Sequence, residues 1–136
     1  MALLTALMAT LLLMVLSAGI ALTTVTETMI AVNHRDGIQA LYAAESGVEL
    51  AISRLRTTPD WTAVARGGPL VQGSVLDPRM NIVVSVSADP NGDPDLLVLQ
   101  SSASLTSGVR RTVQVTIRRL SADASGIRAI ETLSWR

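Results

Sequence analysis

The chain has 136 residues, 49 % of them hydrophobic, with 11 basic and 11 acidic side chains and a formal net charge of +0. That length fits one domain with a modest core, and the neutral balance argues against a nucleic-acid binder, which would carry a basic excess. Cysteine is absent, which removes disulfides, thiolate catalysis and cysteine-ligated metals; a single His and a single Tyr leave little for acid–base chemistry near neutral pH.

The charges are unevenly spread. No charged side chain occurs before Glu27, and MALLTALMATLLLMVLSAGIAL contains no proline. A helical span across a hydrocarbon core takes about 20 residues, so residues 1–28 read as a hydrophobic membrane or filament-core helix. A secretory signal peptide would open with a basic region and carry a shorter apolar stretch. Beyond Glu27 the sequence turns amphipathic. Ile30, Ile38, Leu41, Ala44, Val48, Ile52 and Leu55 recur at helical steps, with Arg35, Gln39, Ser46, Glu49, Ser53 and Arg56 mainly on other faces. Gly37 and Gly47 weaken the pattern without ending it. Residues 29–56 therefore continue the same helix, which would reach about 80 Å from its start.

Residues 57–136 form the third segment. Thr58-Pro59 reads as a capping hydroxyl followed by proline at the first helical position, giving a short helix in PDWTAVAR that Gly67-Gly68 stops. Residues 69–79 read as an irregular connection. The period then changes to two. Ile82, Val84 and Val86 share one face of a strand, and Leu97, Leu99, Ala103 and Leu105 one face of a second. Val109, Val113, Val115 and Ile117 share a face of a third, with Arg111 as the exception on it. A last segment, IRAIETLSWR, makes a fourth strand with Ile127, Leu133 and Trp135 inward. DPNGDPD joins the first pair and Thr106-Ser107-Gly108 the second. The fold class is α+β: a long N-terminal helix, hydrophobic then amphipathic, packed on a small antiparallel sheet of three to four strands.

These features carry a resemblance. Ala2-Leu3-Leu4, Asn33-His34-Arg35-Asp36, and Ala43-Ala44-Glu45-Ser46-Gly47 running to Ala51 resemble the N-terminal region of type IV pilin-like proteins, in particular the minor pilins and the atypical large pseudopilin of type II secretion. The resemblance covers about the first 55 residues and implies a filament subunit, held in the inner membrane before assembly and packed through its helix with other pilin subunits afterwards. It implies a prepilin peptidase that removes a short basic leader and methylates the new N-terminus, here Met1, in keeping with the lack of basic residues at the start of the apolar run. It also makes Thr5 an assembly residue, and the charge-free run puts Leu12 and Leu16 among the residues expected to bury against helices of other subunits. Most pilins carry a glutamate where this chain has Thr5, and a kinking proline where it has Leu22. A carboxylate in an apolar segment is costly unless paired, and the neutral Thr5 points to a minor or initiating subunit rather than the main repeating one.

Other motifs have plainer readings. Asp89, Asn91, Asp93 and Asp95 alternate as calcium ligands do, but Pro94 stands where an EF-hand needs glycine and Gln100 where it needs glutamate. A polar turn accounts for every residue there, and a non-EF calcium loop is the alternative. His34 reads as a surface or interface histidine. Arg110-Arg111 and Arg118-Arg119 read as sheet-edge charges rather than a DNA-binding edge, since no aromatic residue lies between them. No cofactor, catalytic residue, metal site or nucleic-acid partner is expected. The leading function is a structural subunit of a type IV pilus-like filament, with cell-surface location after assembly. The alternatives are the repeating pilin of such a filament and a single-pass membrane protein with a small extracytoplasmic domain.

Overall fold

Helix-forming residues without an interior proline give one long helix, α1 (Ala2–Thr57), followed by α2 (Trp61–Arg66) and five strands. The computed structural model describes residues 1–74, 77–89, 91–122 and 128–136, and only the backbone of Thr62, Ser121, Ala122 and Arg128. The strands are β1 (Val71–Gly73), β2 (Met80–Ala88), β3 (Leu96–Leu105), β4 (Arg110–Ala122) and β5 (Arg128–Trp135). They form one antiparallel sheet in the order β1-β2-β3-β4-β5, each strand beside its neighbour in the chain. The expected α+β class is present, with five strands instead of three to four. The chain divides into two compact units, Met1–Arg35 and Asp36–Arg136.

In the second unit, the part of α1 from Asp36 onward covers one face of the sheet. Ile82, Val84, Leu97, Leu99, Ala103, Val113, Val115 and Ile117 supply the sheet side of the core, as their alternation predicts. The helix side differs from the expected stripe. Ala44, Val48, Ile52 and Leu55 are buried, but Ile30, Ile38 and Leu41 are exposed, and Gly37, Ala40, Ala43, Gly47 and Ala51 are buried instead. The reason is close approach: a Cβ added to Gly47 would lie 2.5 Å from Ser101 Oγ and 2.7 Å from Ile82 Cγ2. Small residues let the helix backbone sit on the sheet there, and the nearby Ile38 and Leu41 are rotated off it.

Three further expectations need correction. The short helix is capped by Asp60, whose Oδ1 accepts the Ala63 N–H at 3.1 Å. The Thr58 hydroxyl instead donates to the Arg54 carbonyl at 2.8 Å and closes the end of α1. Residues 69–79 contain a strand, β1, whose Val71 is buried opposite Val84. On β5, Leu133 and Trp135 are exposed, and Ile130 is the residue that packs on the core. The pairing passes from Thr116↔Ser134 to Ile117↔Thr132, so Leu133 is an extra residue. That bulge shifts the phase of the alternation and puts Ile130, Thr132 and Trp135 on one face. Ile127 lies outside the described residues. The β3–β4 turn is as expected, with Gly108 at φ 89° and its N–H donating to the Leu105 carbonyl at 3.0 Å.

Candidate assembly surfaces

The unit Met1–Arg35 is helical from Ala2 and exposed along its whole length. Its large apolar side chains, Leu12 and Leu16 among them, have no packing partners within the unit. All seven of its hydroxyl groups donate to carbonyls of the same helix three or four residues back. Thr5 reaches the Ala2 carbonyl, Thr10 Leu7, Ser17 Leu13, Thr23 Gly19, Thr24 Ile20, Thr26 Leu22 and Thr28 Thr24, at 2.8–3.0 Å. Their polarity is thus satisfied internally, which is what an apolar surrounding demands of a hydroxyl. Glu27 and Arg35 are the only Asp, Glu, Lys or Arg residues in the unit. Met1 stands at its start, fully exposed. The helix is long and apolar enough to cross a membrane.

The second unit carries a different surface. Tyr42, Glu45, Ser46 and Glu49 of α1 and Trp135 of β5 line one open hollow. Tyr42 is 64 % and Trp135 49 % exposed. In the turn from β2 to β3, Asp89 Oδ2 accepts the Asn91 N–H at 3.0 Å and Asp93 Oδ1 the Asp95 N–H at 2.9 Å, so both carboxylates fold the turn. The Asp95 carboxylate is taken by Arg119, at 2.7 Å. Among the described residues no group of three or more His, Asp or Glu side chains is placed to hold a metal ion.

The two arginine pairs do not act as one edge. Arg119 turns inward, its guanidinium 5.6 Å from the ring centre of the buried Trp61. Arg111 passes over Gly37, with Nη2 3.4 Å from where a Cβ would stand. Arg110 and Arg118 point outward and are exposed. Elsewhere, the Arg79 guanidinium hydrogen-bonds Asp77 at 3.0 Å and holds its carboxyl below the usual carboxylate range. His34 is exposed on α1.

Thr5, Leu12 and Leu16, the assembly residues expected from the sequence, are exposed on α1, and Leu16 lines an open hollow there with Ile20 and Thr23. Sequence reasoning passed over the Tyr42–Trp135 hollow, because an aromatic near the end of a strand on the inward face reads as core. The small-residue face was signalled by Gly37, Ala40, Ala44, Gly47 and Ala51 at three- and four-residue steps. The more hydrophobic residues beside it masked that signal.

Residues 1–49 match the family described as PilX N-terminal. No curated protein and no solved structure gave a match. The matched segment takes in the whole apolar unit and the part of α1 that bears Tyr42, Glu45, Gly47 and Glu49, and leaves the sheet outside it. It supports a type IV pilin-like protein and points to a structural role in which pilin subunits assemble with one another.

Proposed function

We propose that the chain is a structural subunit of a type IV pilus-like filament, of the minor or initiating kind. Residues 1–28 hold it in the inner membrane before assembly and pack with the same helices of other pilin subunits afterwards, the filament lying at the cell surface. The supporting observation is the unit Met1–Arg35. Its apolar side chains are unpartnered and all its hydroxyls are bonded to their own helix, within a segment that matches a pilin family. Such a surface is suited to lipid and to other helices alike. Thr5 supports the initiating role. It places a neutral, internally bonded hydroxyl where a repeating pilin carries a carboxylate. Processing by a prepilin peptidase and N-methylation at Met1 follow from the pilin resemblance.

Shearing filaments from cells and separating them from membranes tests the reading. The chain is expected in the sheared fraction at a low share of total subunit, with an intact mass that begins at a methylated Met1. Retention of all of it in membranes would favour the single-pass membrane protein instead. A mass that requires residues before Met1 would overturn the processing step, and dominance of this chain in the filaments would overturn the minor role.

A further inference from the structure

The chain has three aromatic side chains, Tyr42, Trp61 and Trp135. Trp61 is buried and already holds an arginine: the Arg119 guanidinium lies over its ring and pairs with the Asp95 carboxylate. The two remaining aromatics, Tyr42 and Trp135, are both exposed and line one hollow with the carboxylates of Glu45 and Glu49. The hollow thus offers the same two chemistries, an aromatic face and a carboxylate, with no arginine among the described residues that line it. Among the described residues neither Glu45 nor Glu49 has a cation within ion-pair distance. They lie four apart on α1, where like charges repel. The Ser46 hydroxyl donates to the Tyr42 carbonyl at 2.8 Å and does not compete for a ligand.

We propose that this hollow seats an arginine from the outer sheet face of a second copy of this chain. Every basic residue in the chain is arginine, the cation that stacks on an aromatic ring while pairing with a carboxylate. Arg110 and Arg118 on β4 are exposed, on the face away from α1, and neither has an ion-pair partner among the described residues. Glu131 stands opposite Arg118 in the sheet register without pairing to it. Acceptor and donor lie on opposite sides of the second unit, so the contact is head-to-tail. A head-to-tail contact repeats from copy to copy instead of closing as a two-fold dimer. The inference deepens the filament reading and rests on it.

The absence of native cysteine makes the test clean. Full-length chain carrying Ser46→Cys in the hollow and Gln114→Cys on the outer face between the two arginines is treated in membranes with a short bis-maleimide. A ladder of dimer, trimer and larger species is expected. Adding Glu45→Gln and Glu49→Gln should lower its yield about tenfold. The Glu49→Arg and Arg118→Glu variants should each weaken the ladder alone. Cross-linking should return when Glu49→Arg copies carrying the hollow cysteine meet Arg118→Glu copies carrying the outer one. No cross-link, equal dimer from Ser46→Cys alone, or a ladder indifferent to the glutamine and charge-swap variants overturns the contact. Chain found in sheared filaments without the ladder overturns this inference and leaves the filament reading standing. A ladder in membranes with no chain in filaments does the reverse.

Discussion

Gly47→Ala is the perturbation that most directly probes how α1 sits on the sheet. In an exposed helix interior this change stabilises by about 1 kcal/mol, because alanine loses less backbone freedom than glycine. Here the added methyl would stand 2.5 Å from Ser101 Oγ, 2.7 Å from Ile82 Cγ2 and 3.2 Å from Val84 Cγ2. The Ser101 hydroxyl can rotate away, but Ile82 and Val84 are β-branched and fully buried, with stiff rotamers. Forcing a methylene into a packed core costs roughly 1–3 kcal/mol, and two contacts below 3.0 Å put this site at the upper end. The net expectation is a loss of about 1–2 kcal/mol, or a fall of about 5–10 °C in Tm for a unit of this size. Gly37→Ala is the control on the same helix, since among the described residues its methyl meets the flexible Arg111 guanidinium, Nη2 at 3.4 Å and Nε at 3.9 Å. It should be neutral or stabilising by up to about 1 kcal/mol. Thermal unfolding of the full-length chain in detergent micelles, followed by tryptophan fluorescence and far-UV circular dichroism, reads both. If Gly47→Ala is as stable as the parent, or if the two alanines shift Tm alike, the close-approach account fails.

Other outcomes follow from the same contacts. Ser101→Ala removes a buried hydroxyl that has no hydrogen-bond partner among the described residues, and it should raise stability by about 1 kcal/mol in the same melt. Asp60→Ala should cost about 1 kcal/mol through loss of the α2 cap, whereas Thr58→Ala should stay within about 0.5 kcal/mol in urea unfolding. Leu12→Arg or Leu16→Asp should abolish incorporation into filaments, since an unpaired charge among packed apolar helices costs several kcal/mol; immunoblots of the sheared fraction check this. Thr5→Glu should lower the number of filaments per cell, counted by electron microscopy, and unchanged or higher counts would argue against an initiating role.

The elements were legible where one periodicity ran long enough to be read. The apolar run to Thr26, the helical spacing from Ala44 to Leu55 and the alternation along Ile82–Val86 and Val113–Ile117 all have their faces where the pattern puts them. What escaped had local causes. β1 is three residues long, too short for alternation to register, and is fixed by its pairing with β2. Thr58 and Asp60 are both capping residues, and only the geometry at the end of α1 decides which one serves α2. A single extra residue at Leu133 shifted the alternation on β5, so that Ile130 and Thr132, and not Leu133, share the face of Trp135. Hydrophobicity favoured Ile38 and Leu41 for the core, while the short helix-to-sheet distance at Gly47 and Ser101 selects by size. The hollow at Tyr42 and Trp135 joins residues far apart in the chain, and no local signal pairs them.

The meander of the sheet bears on how quickly the second unit is built. Each strand pairs with its predecessor, so closing the sheet requires only loops of hairpin length, and the entropic cost of each closure is small. Topologies of low contact order belong to the faster-folding class. The surface that receives Gly47 comes from Ile82 and Val84 on β2 and Ser101 on β3, a single hairpin. One closure therefore creates the landing site for the helix. What docks there is a position with no side chain, which can settle without any rotamer having to be sorted first.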